Sequence, residues 1–419
     1  MDAFAYHDQQ LCCEGVPLAR IATEVGTPTY VYSLRALRTA YRAYDQALAP
    51  VPHVVCYSVK ANGSLAILRA LARDGSGFDI VSAGELFAAR RAGADPQRIV
   101  FSGVGKTRDE MAQALAAGIL MFNVESPAEL ETLEQVAAAA GRRAPVALRV
   151  NPDVDPQTHP YISTGMKKSK FGIDIDAALA IYERAARLPY LEVVGLDCHI
   201  GSQLTSVAPF VDALARARSL VERLRERGIR LRYLDVGGGL GITYRDERPP
   251  TPAEYCAALI AGTRGLDVTL LVEPGRSLVG NAGALLTRVL YLKDGPVKRF
   301  VIVDAAMTDL IRPSLYDSYH EVRPLARPRT GETRLVDVVG PVCESGDFLA
   351  RDRQLPPVEA GDLLAVMSAG AYGFAMASNY NARPRPAGVL VDGDRYGVIR
   401  ERETVEDLLR GESLPSWLG

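Results

Sequence analysis

His53-Val54-Val55-Cys56-Tyr57-Ser58-Val59, running straight into Lys60-Ala61-Asn62, is the stretch on which the fold turns. It is a short, mostly apolar run rich in β-branched and aromatic residues, as expected of a strand covered on both faces in a parallel sheet. The same unit recurs to residue 276. Comparable runs stand at 78–82, 99–102, 120–124, 146–150, 193–199, 231–236 and 268–273, with helical stretches at 83–92, 108–117, 127–140, 175–186, 209–227 and 252–263. Alternation of strand and helix implies parallel strands joined by right-handed crossovers. Eight such strands in one stretch predict an α/β fold of the (β/α)8 TIM-barrel type over 27–276 rather than an open doubly wound sheet.

After Arg276 the pattern changes. Strand-like runs at 289–292, 300–303, 335–339, 363–367 and 389–391 are joined by turns such as Asp294-Gly295-Pro296 and Asp392-Gly393-Asp394, which read as hairpins. This predicts a second, β-rich domain over 277–419. The first 26 residues hold no barrel strand and are assigned to it, with the barrel inserted. A last helix is expected at 403–409.

The formal net charge of −2 gives no reason to expect nucleic acid or an anionic membrane as partner. No apolar stretch reaches the length of a membrane span, and Met1-Asp2-Ala3-Phe4-Ala5-Tyr6 lacks the basic start and apolar core of a secretory leader. Cys12, Cys13, Cys56, Cys198, Cys256 and Cys343 are scattered without framework spacing, which suits reduced thiols in the cytosol. A cytoplasmic enzyme acting on a small molecule is the expectation.

In a β/α barrel the functional residues sit at the C-terminal ends of the strands. Lys60 follows the first strand, Asp79 lies in the second, Arg149 in the fifth, and His199 closes the sixth. The seventh runs into Gly237-Gly238-Gly239 and the eighth into Glu273-Pro274-Gly275-Arg276. Each has an ordinary reading: a lysine is usually a solvated charge, three glycines a tight turn, a histidine a satisfied core ring. Each also has a chemical one. A lysine amine in a pocket condenses with an aldehyde, and glycines bare their backbone N–H groups to a phosphate. Glu273 ends a very apolar strand and needs a partner. Arg276 is the structural candidate, and a protonated pyridine nitrogen the functional one. It is the convergence of these residues on one face that implies a site.

Three other motifs fail. Gly103-Val104-Gly105-Lys106-Thr107 resembles the end of a Walker A loop, but Val100 stands where glycine is required. The glycines at 237, 238, 239 and 241 do not form a dinucleotide fingerprint. The pairs His53/Cys56 and Cys198/His199 lack further ligands, so no metal site is expected.

Taken together, Tyr57-Ser58-Val59-Lys60-Ala61-Asn62, Phe78-Asp79-Ile80-Val81-Ser82-Ala83-Gly84-Glu85, His159-Pro160-Tyr161-Ile162-Ser163-Thr164-Gly165, Ser169-Lys170-Phe171-Gly172, His199-Ile200-Gly201-Ser202-Gln203, the triple glycine, Glu273–Arg276, Cys343-Glu344-Ser345-Gly346-Asp347 and Gly370-Ala371-Tyr372-Gly373 resemble the fold-type III pyridoxal-phosphate decarboxylases, most nearly the diaminopimelate-decarboxylating family. The resemblance covers essentially the whole chain. It implies a barrel plus a β-rich domain, pyridoxal 5'-phosphate held by Lys60 as a Schiff base, His199 stacked on its ring, Glu273 at its pyridine nitrogen, and Asp79 supporting the ring side. Ser202, Gly237, Gly238, Gly239, Gly275 and Arg276 would surround the phosphate, and Tyr372 would reach phosphate and substrate. Arg149 matches a pocket arginine without an assigned role.

For the substrate, Asp309-Leu310-Ile311-Arg312-Pro313-Ser314-Leu315-Tyr316 resembles the diaminopimelate-type segment. Arg312 and Tyr316 would be distal contacts, Glu344 would take the distal ammonium, and Arg276 would assist at the carboxylate. The implied reaction is decarboxylation of meso-2,6-diaminopimelate at its D-centre, through an external aldimine and quinonoid, to L-lysine and CO2, the last step of lysine biosynthesis. Cys343 would be the proton donor, supplied with Glu344 across the interface of a homodimer. A decarboxylase for arginine, ornithine or lysine is the nearest alternative, and Arg312 with Tyr316 and the 159–172 stretch weigh against it. An amino-acid racemase is disfavoured by the Cys343 segment, and a non-catalytic cofactor carrier by Lys60, Cys343 and Glu344 together.

Overall fold

In the computed structural model, which describes residues 3–155, 170–328 and 331–418, the run beginning at His53 is a strand, β1 (His53–Ser58), buried from Val54 onward. Seven more follow in the same unit: β2 (Gly77–Ile80), β3 (Ile99–Phe101), β4 (Met121–Val124), β5 (Ala144–Asn151), β6 (Leu191–Asp197), β7 (Tyr233–Asp235) and β8 (Thr269–Val272). Each pairs in parallel with the next, and β8 returns to β1 with Leu270, Leu271 and Val272 opposite His53, Val54 and Val55. The sheet therefore closes into an eight-stranded barrel, which removes its edges. A two-residue strand, Ile173–Asp174, adds beside Val150 and Asn151 of β5. The motif at 159–165, Ser169, and the intervening residues 166–168 lie outside the described residues.

Local chemistry sets the helix ends. Ser82 and Ser126 accept the N–H of the residue three positions on, and Thr107/Glu110 and Thr251/Glu254 form reciprocal capping boxes. Helices Arg108–Ala117 and Pro127–Ala140 stop at Gly118 and Gly141, both left-handed. Two further helices, Leu34–Leu48 and Leu65–Arg73, extend the sequence reading. Leu34–Leu48 lies ahead of the first strand, outside the repeating unit.

Apolar side chains including Val54, Cys56, Val100, Met121, Ala147, Val194 and Leu271 fill part of the barrel. Its C-terminal end is different. Ser58, Asp79, Ser102, Asn123, Arg149, Asp197, Asp235 and Glu273, one from the end of each strand in turn, are all buried polar groups.

The second compact unit comprises Met1–Ala36 and Gly280–Gly419, and the barrel unit Leu37–Val279. The division thus falls ten residues beyond the expected 26/27 boundary, because the strand Thr29–Ser33 pairs with Gly283–Asp294 and with Ala387–Asp392. Its sheet runs Phe348–Leu355, Arg334–Val339, Arg299–Val303, Gly283–Asp294, Thr29–Ser33, Ala387–Asp392, Arg395–Arg400. Asp294 faces Arg299 and Asp392 faces Arg395 in the two hairpins. At 403–409 the chain makes only a 3-10 turn, Glu406–Leu409, in place of the expected helix. No helix among the described residues is long and apolar enough to cross a membrane.

Candidate active site

β1 ends at Ser58, and a 3-10 turn over Val59–Ala61 carries Lys60 off the strand end. Its side chain remains 36% exposed, whereas its partner Asp79 is fully buried. The Lys60 ammonium donates to Asp79 Oδ2 and lies 3.3 Å from Ser58 Oγ. Ser58 Oγ stands 2.8 Å from that same Asp79 oxygen and 3.1 Å from the Glu273 carbonyl, so its hydroxyl ties β1, β2 and β8 together. The lysine is held over the barrel mouth rather than left to solvent.

The glycine turn after β7 leaves no space for side chains. A Cβ on Gly237, whose φ is +66°, would lie 2.5 Å from His199 Nδ1, and one on Gly238 would lie 2.2 Å from the Glu273 carbonyl oxygen. Backbone bonds lock it: Asp235 Oδ1 accepts the Gly237 N–H at 2.9 Å, and the Glu273 N–H donates to the Gly237 carbonyl at 2.8 Å. The Gly238 N–H donates to His199 Nδ1 at 3.1 Å. Because Nδ1 accepts, the neutral ring carries its proton on Nε2. Burial, reinforced by Arg149 and Lys60, holds the His199 imidazolium pKa well below its usual value, so the ring is neutral.

Gly239 of this turn approaches the Gly201 carbonyl, and Ser202, the residue after Gly201, meets a buried arginine. Arg276, buried, donates through Nη1 to the Tyr244 hydroxyl at 2.6 Å and through Nη2 to Ser202 Oγ at 3.0 Å. Gly275 packs with Ser58 and Ala61, where an added Cβ would come within 3.0 Å of Ser58 Cβ. Arg276 is thus engaged with hydroxyls, and no ion pair to Glu273 forms among the described residues.

Glu273 is instead set among anions. Its carboxyl oxygen and those of Asp197 and Asp235 lie within 4.8 Å of one another, all buried. Burial first, then the charges of Asp235, Asp79 and Asp197, push the Glu273 pKa well above the carboxylic range, against the pull of Lys60. Burial, then the charge of Asp235, raises Asp197 well above the usual value against the pull of Arg149, and burial with the charge of Asp79 raises Asp235 to about 6 against the Gly237 N–H. Arg149 is the buried cation of the group, with Nη1 at 3.0 Å from Glu125 and Nε at 3.8 Å from Asp197. Burial opposes its charge, but the surrounding carboxylates outweigh that and raise its pKa. Glu125 also takes the Gly103 and Gly172 N–H groups at 2.9 Å each. Asp235 Oδ2 and Asp197 Oδ1, both buried, have no hydrogen-bond partner among the described residues. Carboxyls so placed share protons or face a cation.

The sequence reading brought Lys60, Asp79, Arg149, His199, Ser202, Gly237–Gly239, Glu273, Gly275 and Arg276 to this unit. It missed Ser58, Ser102, Asn123, Asp197 and Asp235. Their signal was positional, since each lies within two residues of the end of a predicted strand, but neighbouring Lys60, His199 and the glycines drew the reading away. His199 itself stands two residues beyond β6, which ends at Asp197.

Arg312, Tyr316, Cys343, Glu344 and Tyr372 belong to the β-rich unit. Arg312 starts the short helix Arg312–Tyr316 and is buried, with Nη2 3.2 Å from Ser318 Oγ and Nη1 3.4 Å from His320 Nε2. His320 Nδ1 lies 2.8 Å from the Met367 carbonyl, which fixes the proton there and leaves Nε2 to accept. Ser314 Oγ donates to the Gly346 carbonyl at 2.5 Å, joining this helix to the loop that carries exposed Cys343 and Glu344. Asp347 secures that loop by accepting the Val342 and Met307 N–H groups at 2.7 and 2.6 Å. Tyr372 sits in the left-handed region, φ +55°, next to Gly373, where a Cβ would lie 2.5 Å from the Ala369 carbonyl.

Residues 34–280 match the family described as pyridoxal-dependent decarboxylase, pyridoxal binding domain. A diaminopimelate decarboxylase of Pseudomonas aeruginosa is 60% identical over 414 residues, 99% of each chain. Among solved structures, diaminopimelate decarboxylase from M. jannaschii in complex with L-lysine superposes with a TM-score of 0.95 at 40% identity, covering 100% of both chains. The Helicobacter pylori diaminopimelate decarboxylase complexed with L-lysine gives 0.91 at 44% identity, over 94% of this chain and 98% of that one.

Proposed function

The chain belongs to the diaminopimelate decarboxylases, pyridoxal-dependent enzymes, and we propose that its buried strand-end residues and the loops of its β-rich unit divide that family's reaction between them. The reaction is the decarboxylation of meso-2,6-diaminopimelate at its D-centre to L-lysine and CO2, the final step of lysine biosynthesis.

The observation that carries the assignment is Glu273. A carboxyl buried among Asp79, Asp197 and Asp235 is a place for a cation, and the protonated ring nitrogen of pyridoxal phosphate is one. The glycine turn, with no room for a Cβ at 237 or 238, and the Ser202–Arg276 pair suit its phosphate. Bound pyridoxal phosphate supplies the electron sink that makes loss of CO2 possible.

Lys60 anchors the cofactor through its amine, and Asp79 with Ser58 fixes that amine in place. His199, neutral and orientated by the Gly238 N–H, holds the ring without adding charge. Gly237, Gly238, Gly239, Ser202, Gly275 and Arg276 bind the phosphate, joined by Tyr372. Arg312 and Tyr316 hold the distal carboxylate of the substrate with help from Arg276, and Glu344 holds the distal ammonium. Arginine's planar fork suits a carboxylate better than a lysine would. Cys343 delivers the proton to the carbon that lost CO2. Exposed Cys343 and Glu344 support a homodimer in which each chain lends these residues to the other. Six free cysteines among the described residues support action in the reducing cytoplasm.

The test is lysine release from meso-diaminopimelate, with ornithine, arginine and lysine offered separately and as competitors. Turnover of diaminopimelate alone is expected; preferential turnover of another amino acid would reject the substrate assignment. Lys60→Ala should remove the visible absorbance of the covalently held cofactor, and an unchanged spectrum would reject Lys60.

A further inference from the structure

Asp235 neither anchors the cofactor nor touches the substrate in this scheme, yet it is the most enclosed carboxyl of the buried trio, with no measurable exposure. It ends β7, paired in register with Asp197 at the end of β6, while Glu273 follows β8 on the other side. One oxygen, Oδ1, is committed to the Gly237 N–H at 2.9 Å. The other, Oδ2, is buried without a hydrogen-bond partner among the described residues, and the carboxyl as a whole has an oxygen within 4.8 Å of those of Asp197 and Glu273. Two ionised carboxylates at this spacing in a dry interior repel strongly, and a proton held in common is the ordinary resolution.

The charges around Asp235 favour this. Asp197 faces it from β6, Glu273 from the end of β8 and Asp79 from β2. Cys56, Cys198 and Tyr255 also face it, and all three are kept protonated by burial. The nearby cations are already engaged, Arg149 by Glu125 and Asp197 and Lys60 by Asp79. None of these ion pairs includes Asp235 or Glu273.

We propose that Asp235 is a positioning residue that holds one proton in common with Glu273 and Asp197 in the cofactor-free protein, and that this proton leaves when a ring nitrogen bearing its own proton docks on Glu273. One O–H bond of the cluster breaks, its proton passes to solvent, and the arriving N–H takes its place, so the buried charge stays constant. Through the Gly237 N–H, the same carboxyl ties this exchange to the glycine turn, so charge matching and phosphate seating happen together. The inference rests on Glu273 being the ring-nitrogen partner.

The experiment measures protons released when pyridoxal phosphate is titrated into cofactor-depleted full-length protein, by calorimetry in buffers of different ionisation enthalpy. Proton changes at Lys60 are common to parent and variant and cancel in the difference. Asp235→Asn keeps an acceptor for the Gly237 N–H but removes one acidic group, so release should fall by about one proton. A merely structural role would weaken binding without changing the count. Asp197→Asn, which removes an anion from the same cluster, should give the same drop and serves if Asp235→Asn fails to fold. An unchanged count in the folded variant overturns the proposal. Glu273→Gln separates the two ideas: parent-like cofactor affinity in that variant rejects Glu273 as the ring partner, whereas weakened affinity with an unchanged count in Asp235→Asn rejects only the shared proton.

Discussion

Replacing Gly238 by alanine isolates the closeness of the glycine turn from its backbone strain. Gly237 and Gly239 have φ of +66° and +115°, but Gly238 does not occupy the left-handed region, so a methyl group there costs space alone. Its Cβ would stand 2.2 Å from the Glu273 carbonyl oxygen. Carbon and oxygen need about 3.3 Å, so the turn or the end of β8 must retreat by roughly 1 Å. That movement breaks two bonds, Gly238 N–H to His199 Nδ1 at 3.1 Å and Glu273 N–H to the Gly237 carbonyl at 2.8 Å. Overpacking at ~1–3 kcal/mol and two hydrogen bonds at ~0.5–1.5 kcal/mol each give a loss of roughly 2–6 kcal/mol in stability. If the phosphate sits against this turn, a displacement that costs even one charge-assisted bond of ~1.5–3 kcal/mol weakens cofactor binding tenfold or more. The control is Gly265→Ala: its φ of +83° imposes strain, but no atom lies within 4 Å of the new Cβ. It should cost about 1 kcal/mol and leave cofactor affinity alone. Chemical denaturation and fluorescence titration with pyridoxal phosphate read both quantities. Parent-like cofactor affinity in a folded Gly238→Ala protein would show that the phosphate does not sit on this turn.

Arg312→Lys should lower kcat/KM for meso-diaminopimelate tenfold or more, since a point charge replaces a fork worth ~1.5–3 kcal/mol at a carboxylate; parent-like steady-state kinetics would remove Arg312 from the distal site. Lys106→Met should destabilise the barrel by about 3–5 kcal/mol, because it strands the buried Glu129 carboxylate and the Gly103 and Asn123 carbonyls that Lys106 bonds at 2.7–2.8 Å. Denaturant melts showing less than 1 kcal/mol would mean that the buried pair is solvated. His199 is neutral when folded, so below about 6.5 the unfolded chain gains a proton that the folded chain refuses, and stability of the cofactor-free protein falls as pH drops. His199→Gln should flatten that limb by up to ~1.4 kcal/mol per pH unit, and identical slopes in the two proteins would contradict the burial of a neutral ring.

The barrel was legible because strands covered on both faces write themselves as apolar runs, and the eight runs of the sequence each coincide with a strand of the closed sheet. The β-rich unit was less so. Thr29–Ser33 is buried throughout, yet its hydrogen-bond partners are Gly283–Asp294 and Ala387–Asp392, more than 240 residues away, and no local pattern reports such pairing. Phe348–Leu355 is absent from the strand-like runs of the sequence because Arg351, Asp352 and Arg353 interrupt its apolar pattern, and Asp352 takes a left-handed φ of +50°.

The strand ends show why a site is harder to read than its scaffold. Each barrel strand delivers one polar residue to the same buried ring, but a sequence presents them dozens of positions apart, and an aspartate before a glycine turn reads first as a turn residue. Asp197 and Asp235 lie opposite one another only because β6 and β7 pair in register, and Glu273 joins them only because β8 adds next. Their chemistry is therefore a property of closure. An isolated carboxyl in this interior would be costly, and one beside a cation would be an ordinary ion pair. Three together, with Lys60 held by Asp79 and Arg149 shared between Glu125 and Asp197, leave Asp235 and Glu273 without an ion pair among the described residues. If Glu273 is the ring-nitrogen partner, a ligand with a protonatable ring supplies the positive charge, and it is closure of the barrel, rather than any single motif, that assembles the carboxyls to receive it.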